Sequence, residues 1–124
     1  MEEKTVKGKV FRAEEAQWIA PPAHYGAYSK KLISPENTEG TDIDFRVSIY
    51  RPQGYAEVHE HAVAENIYYV IRGTGLVELD GEKYVVEPNM VVYMPPGVKH
   101  GIWNTGFEDL VFVVVAVPAH DMPK

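Results

Sequence analysis

With 124 residues and 14.0 kDa, the chain is long enough for one domain with one sizeable core, and its 45% apolar and 24% charged residues exclude a largely disordered protein. The net charge of −6 comes without a basic stripe, which argues against nucleic acid or an anionic membrane as a partner. There is no cysteine, no apolar run as long as a membrane helix and no apolar leader at the N-terminus, so we expect a cytoplasmic protein without disulfides or thiolate metal sites.

The first 40 residues give mixed signals. Three apolar residues are spaced as in an edge strand: Val6, Val10 and Phe11. Residues 13–19 favour a short helical turn, and residues 27–33 favour a strand. A polar loop is expected at residues 35–42. Residues 1–40 are therefore interpreted as a strand and loop segment outside the main domain.

From Ile43 onward the pattern is that of a β protein. Residues 43–50 alternate between apolar and polar. The polar members either line a polar cavity or form a solvated face, and we expect the solvated face: Arg46, Ser48 and Tyr50. Pro52 and Gly54 are expected to end this strand. Further strands are predicted at residues 57–61, 67–71, 76–79, 83–86, 90–94, 100–104 and 110–117. Short strands at regular intervals, with a strong hairpin signal at Asp80-Gly81, predict a sandwich or a barrel.

Two of the five histidines, His59 and His61, lie two residues apart on the strand predicted at residues 57–61. Because side chains alternate along a strand, both imidazoles are expected on one face. Such a pair alone is more often exposed, or part of a satisfied core, than bound to a metal. The interpretation therefore depends on what else reaches the same face.

The sequence around this pair resembles a known family. Residues 54–73, with His59 and His61, resemble the first of the two motifs of the cupin superfamily. Residues 95–104 fit the second, which reads Pro-x-Gly, two residues, His100, three residues and Asn. Asn89 stands in place of the leading glycine of that motif. The resemblance implies an all-β fold, the cupin-type double-stranded β-helix or jelly-roll barrel.

The resemblance also implies a domain organisation. The cupin barrel is expected at residues 41–118, followed by a C-terminal tail at residues 119–124. Small cupins often form homodimers, sometimes with an exchanged N-terminal strand. Residues 1–40 are accordingly expected to pack on the barrel or to be exchanged between the two barrels of a homodimer.

The histidines of the two motifs imply a metal site. His59, His61 and His100 are the expected ligands of one divalent transition metal ion. Imidazole does not select a single metal, and iron, manganese, nickel, zinc, cobalt and copper all accept it. Three imidazoles from two strands would leave open coordination positions, which is what catalysis at a metal requires.

The fourth position, a glutamate in the usual motif, falls on Glu65 or on Asn66. Glu65 fits the spacing from His61, whereas Asn66 fits the spacing to Gly73. Because the turn at Gly73 fixes the register of its strand, Asn66 and Tyr68 should share the inward face. Asn66 is therefore expected in the metal site and Glu65 on the surface, and the reverse placement would require a β-bulge.

Four other residues bear on the site. Tyr68 and Glu57 are candidates to line the pocket, because they share the parity of the motif residues on their strands. His24 and His120 lie outside both motifs and are expected on the surface.

The leading functional hypothesis is a metal-dependent enzyme of dioxygenase, isomerase, decarboxylase or lyase type. Three histidines and an asparagine form a neutral ligand set, so the metal keeps its full charge and favours an anionic oxygen donor. The expected substrate is therefore a small anionic or carbonyl compound. The alternative is a non-catalytic module that binds a small molecule or a sugar. The three histidines, and the lack of a helix-turn-helix pattern typical of regulators, favour the enzyme.

Overall fold

The computed structural model describes residues 7–122 of the chain. Its eight strands form one curled antiparallel sheet, so the predicted all-β jelly-roll barrel is confirmed. The strands are β1 His24–Ile33, β2 Asp44–His59, β3 Glu65–Arg72, β4 Gly75–Leu79, β5 Glu82–Val86, β6 Val91–Met94, β7 His100–Asn104 and β8 Leu110–Val117. Two 3₁₀ helices flank the sheet, at Ala13–Glu15 and Ala119–Asp121. Within residues 7–122, no helix is long and apolar enough to cross a membrane.

Strand β2 joins the two halves of the sheet. The strand order is β5-β4-β7-β2-β8-β3-β6, and β1 also pairs with β2. The first half of β2, from Asp44 to Tyr50, pairs with β8, and its second half, from Tyr55 to His59, pairs with β7. The sheet closes around a core of inward side chains, of which the most buried include Val70, Val77, Ile102, Leu110 and Phe112.

The predicted end of β2 at Pro52 and Gly54 is wrong, because the strand continues through both residues. They lie where β2 changes its partner from β8 to β7. The register against β1 also shifts there, since Tyr25 pairs with Tyr55 and Ala27 pairs with Tyr50. The turn-forming residues therefore mark an irregularity within a long strand, where the chain bends without leaving the sheet.

Gly54 is needed at this bend because the backbone of the neighbouring strand β1 approaches it closely at Gly26. A Cβ atom at position 54 would collide with the carbonyl oxygen of Gly26 and would lie 2.9 Å from that of Arg51. No side chain fits between these backbones, so the glycine permits the approach of β1 to β2.

The N-terminal region is partly as expected. The predicted helical turn is present at Ala13–Glu15, but Val10 and Phe11 are not in a strand, and Val6 lies outside the described residues. The strand predicted at residues 27–33 begins earlier, at His24, and is hydrogen-bonded along β2. This part of the N-terminal segment is thus a strand of the sheet itself.

Two of the turns with positive φ carry residues that the sequence analysis singled out. Asp80 and Gly81, with φ of 48° and 87°, connect β4 to β5 in the predicted hairpin. Asn89, with φ of 72°, precedes β6. Asparagine tolerates this left-handed conformation better than most residues, which explains how it can replace the leading glycine of the second motif.

The polar side of β2 faces inward, which corrects the expectation of a solvated face. Arg46, Ser48 and Tyr50 are all buried. The neighbouring apolar residues Val47 and Ile49 are only half-buried, on the outer side of the sheet. Alternation identifies two faces but not which of them is enclosed, and this barrel encloses the polar one.

Candidate metal centre

Three histidines converge at one end of the barrel. His59 is the last residue of β2, and it pairs directly with His100, the first residue of β7. A nitrogen atom from each of His59, His61 and His100 lies within 4.8 Å of the other two, and the group could hold a metal ion. The three predicted ligands are therefore brought together, although they come from two parts of the chain.

His61 reaches the site from a loop and not from a strand. Because β2 ends at His59 and β3 begins at Glu65, the expectation that His59 and His61 alternate along one strand is wrong. The loop still turns the imidazole inward, and its backbone is held where Gly97 N–H donates to the His61 carbonyl at 2.8 Å.

Backbone carbonyls fix the orientation of two of the rings. The Nδ1 atom of His59 lies 2.7 Å from the carbonyl oxygen of Glu57, and that of His100 lies 3.0 Å from the carbonyl oxygen of Val98. A carbonyl oxygen can only accept, so each Nδ1 carries the hydrogen and each Nε2 keeps its lone pair. This is the tautomer that a metal ligand needs, with its outer nitrogen anchored.

The inner nitrogens are buried without partners, which tests whether the site fits a metal. Among the described residues, Nε2 of His61 and Nε2 of His100 have no hydrogen-bond partner. Leaving a buried polar atom unpaired costs free energy, so such atoms are rare unless a ligand satisfies them. A metal cation bound by these nitrogens would satisfy both lone pairs. The residues present therefore fit a metal ion.

Burial keeps two of these histidines neutral. It lowers the pKa of His100 to about 4, with a smaller lowering from the charges of His59 and His61, against the hydrogen bond to Val98. It likewise lowers the pKa of His61. Neutral imidazole is the form that binds metal, so no proton has to be removed at neutral pH.

The structure separates Asn66 from Glu65. Asn66 is only 2% exposed, and its Oδ1 atom has no hydrogen-bond partner among the described residues. Its Nδ2 atom donates to Sδ of Met122 at 3.8 Å. Glu65 faces outward and accepts a hydrogen bond of 2.7 Å from the hydroxyl of Tyr93. Asn66 therefore presents a free acceptor to the interior, while its role as a ligand stays a prediction.

A cavity of about 40 Å³ adjoins His59 and His61. Its wall includes His59, His61 and Asn66, together with His24, Arg46, Ser48, Tyr50, Tyr68 and Met122. The predicted pocket residue Tyr68 is thus in the wall, and burial raises the pKa of its hydroxyl, which stays protonated at neutral pH. The space is enough for one small ligand or a few water molecules.

Two pocket expectations need correction. Glu57 is exposed and does not line the cavity. It was expected on the same face as His59, but a bulge lies between Ala56 and His59 in the pairing with β7, so the side chains no longer alternate there. His24 was expected on the surface, but it lines the cavity, and its ring centroid is 6.3 Å from that of His59. His120 is exposed.

Sequence reasoning missed His24 because its position depends on long-range pairing. The residue opens β1 opposite Ala56 of β2, and no local motif marks it. Its Nδ1 atom lies 2.8 Å from the carbonyl oxygen of Pro22, which leaves Nε2 as an acceptor. Burial lowers the pKa of His24, so this ring is also neutral at neutral pH.

Arg46 and Asp44 form a buried ion pair in the barrel. Nε of Arg46 donates to Oδ1 of Asp44 at 2.7 Å, and Nη2 donates to Oδ2 at 3.0 Å. Both side chains are 4% exposed. Because the two charges cancel at short range, the arginine lines the cavity without making its wall strongly positive.

Comparisons with known proteins agree with this architecture. The profile of the cupin domain family matches residues 46–116. The chain is 30% identical over 95 residues to an uncharacterised protein of Methanocaldococcus jannaschii, which covers 77% of this chain and 76% of that protein. It is 33% identical over 115 residues to a glucose-6-phosphate isomerase of Thermococcus gammatolerans, covering 81% of this chain but only 59% of the isomerase.

A solved structure is similar over almost the whole domain. The crystal structure of a predicted oxalate decarboxylase from Thermotoga maritima superposes with a TM-score of 0.79 at 25% sequence identity. The match covers 89% of this chain and 99% of the other.

Proposed function

Because this chain belongs to the cupin domain family, we propose that it binds one divalent transition metal ion through His59, His61 and His100. The observation that carries the proposal is the pair of buried Nε2 atoms, on His61 and His100, that have no partner among the described residues. Any of iron, manganese, nickel, zinc, cobalt or copper is chemically compatible with these ligands.

The proposed activity is that of a metal-dependent enzyme acting on a small anionic or carbonyl compound. A bound divalent metal supplies charge that polarises an oxygen donor. The histidines and Asn66 are neutral, so they leave the full charge of the metal to attract an anionic oxygen. One similar protein is named an isomerase and another a predicted oxalate decarboxylase, both names of enzymes.

The residues of the chain would orient and enclose the substrate. The small cavity and the ring of Phe112 limit its size and exclude water. The hydroxyl of Tyr68 is a donor, and Nε2 of His24 is an acceptor, so a substrate with both an acceptor and a hydroxyl would be oriented between them. The same groups would serve a non-catalytic binding module, and only turnover of a substrate distinguishes the two functions.

The metal proposal is tested by elemental analysis of protein purified without chelator. We expect about one transition metal ion per chain in the wild type and loss of the ion in His100→Ala. His120→Ala, at an exposed histidine, is the matched control and should keep it. A wild type that takes up no metal, or a His100→Ala variant as fully loaded as the control, would overturn the proposal.

We also propose that the protein is a cytoplasmic homodimer. The outer sides of β2, β8, β3 and β6 form an apolar face. Two rows of side chains cross it, Val47-Val113-Tyr69-Val91 and Phe45-Val115-Ile67-Tyr93. Neither row carries a charge, although the chain has a net charge of −6. A second copy can therefore pack its own apolar rows on this face, with Glu65, which accepts the hydrogen bond of Tyr93, at the end of β3. Large exposed apolar patches of this kind mark interfaces.

A further inference from the structure

The C-terminal 3₁₀ helix, Ala119–Asp121, is tied to the loop that carries His61. Oδ2 of Asp121 accepts a hydrogen bond from Val63 N–H and another from Ala64 N–H, each of 2.8 Å. The hydrogen bonds to a charged carboxylate are of the stronger kind. These residues are 57 and 58 positions apart in the sequence, so the contact joins distant parts of the chain.

His61 needs such a support more than the other two histidines. His59 and His100 are held by the ladder between β2 and β7, in which they pair with each other. His61 lies in the loop between β2 and β3, where no strand pairing fixes its backbone. One tie comes from Gly97, whose N–H donates to the His61 carbonyl, and the carboxylate of Asp121 fixes the other side of the same loop.

The support is itself anchored to the barrel. Ala119 is 8% exposed, and its N–H donates to the carbonyl oxygen of Asp42 at 2.8 Å. Met122 lines the cavity and accepts the hydrogen bond from Asn66. The C-terminal turn therefore contacts the loop of His61 through the carboxylate of Asp121 and reaches the cavity wall through Met122.

We propose that Asp121 is a positioning residue for the metal site, which holds the loop of residues 60–64 so that the His61 imidazole points at His59 and His100. This inference rests on the proposed metal binding. Removing the carboxylate would leave the N–H groups of Val63 and Ala64 to water and free the loop. His61 would then have to be ordered by the metal, at a cost in affinity.

Titration of the metal-free protein with Co²⁺ tests this role, because cobalt reports both affinity and ligand set through its visible spectrum. We expect Asp121→Ala to weaken Co²⁺ binding by about 10-fold or more, the range found for groups that orient metal ligands. Its spectrum should shift towards that of His61→Ala. Asp121→Asn keeps an acceptor oxygen and should restore part of the affinity. Glu60→Gln removes a negative charge from the same loop without removing the anchor, and should stay within about twofold of the wild type.

Amide hydrogen exchange provides a measurement without metal. The amides of Val63 and Ala64 should exchange faster in Asp121→Ala than in the wild type, while the β2–β7 ladder keeps its protection. Wild-type cobalt affinity and spectrum in Asp121→Ala, or unchanged exchange at both amides, would overturn the positioning role. A wild type that binds no cobalt would overturn the proposed metal binding. Faster exchange in Asp121→Ala would then show that Asp121 anchors the loop, and its role in metal binding would be overturned as well.

Discussion

His59 and His100 face each other across the β2–β7 ladder, with their ring centroids 4.4 Å apart. This pairing is set by the sheet and does not require a metal to form. We expect His59→Ala and His100→Ala each to lower metal affinity sharply and the double variant to bind none, as measured by calorimetric titration with Zn²⁺. Retained binding in the double variant would mean that the ion lies elsewhere.

Acid should destabilise the metal-free protein. Burial lowers the pKa of His100 in the folded state to about 4, from 6.5 for an ordinary histidine. Between these values the unfolded chain binds more protons than the folded one, so stability falls as pH drops from about 6.5 towards 4. Thermal unfolding between pH 7 and 4.5 should show a smaller drop in Tm for His100→Gln than for the wild type. Parallel curves would contradict this.

Asn66 and Glu65 should respond differently to truncation. Asn66→Ala removes a buried acceptor from the cavity wall and should change metal affinity or activity. Glu65→Ala removes only an exposed hydrogen bond with Tyr93 and should change both by less than about twofold. Metal titration and ligand binding of the two variants check this. A larger effect at Glu65 than at Asn66 would mean that Glu65, and not Asn66, belongs to the site.

The metal-loaded protein should prefer anions. Calorimetric titration with small carboxylates and their matched neutral amides should show tighter binding of the carboxylate in each pair. Asn66→Glu adds a negative charge beside the metal and should reduce the preference selectively. Equal affinity for the carboxylate and its amide, or no effect of Asn66→Glu, would contradict the claim that the uncompensated charge of the metal selects anions.

The apolar face can be tested without disturbing the core. Val91 and Val85 are both exposed, at 60% and 58%, but only Val91 lies on that face. We expect Val91→Lys to shift the protein towards the monomer in sedimentation, while Val85→Lys leaves the dimer intact. A monomeric wild type, or equal behaviour of the two variants, would reject this surface as the dimer interface.

Local patterns in the sequence predicted most of the strands and the side on which Asn66 lies. Alternation and turn residues fix β3 to β8, because each strand is short and ends at a strong turn signal. The spacing to Gly73, which has φ of 87°, fixed the register of Asn66. For Arg46 the sequence left two alternatives, a cavity wall and a solvated face, and the wrong one was favoured, since alternation does not say which face is enclosed.

Long-range contacts account for the residues that the sequence missed. His24 reaches the cavity because β1 pairs with β2, and Asp121 reaches the loop of His61 after the whole barrel has been formed. Neither residue has a local signal, because the contact depends on the closed sheet. His61 lies beside His59 and His100 although it is in a loop and not in the predicted strand, because the loop also turns its imidazole inward.

The close approach of β1 to Gly54 limits how this sequence can change over evolutionary time. Since any side chain at that position would strike the Gly26 carbonyl, substitutions there are barred by the backbone alone, whatever the chemistry of the barrel. The same glycine begins the stretch that contains His59 and His61. Part of what makes that stretch recognisable therefore records a tight backbone contact between two paired strands, and we expect it to persist in descendants that have lost the histidines.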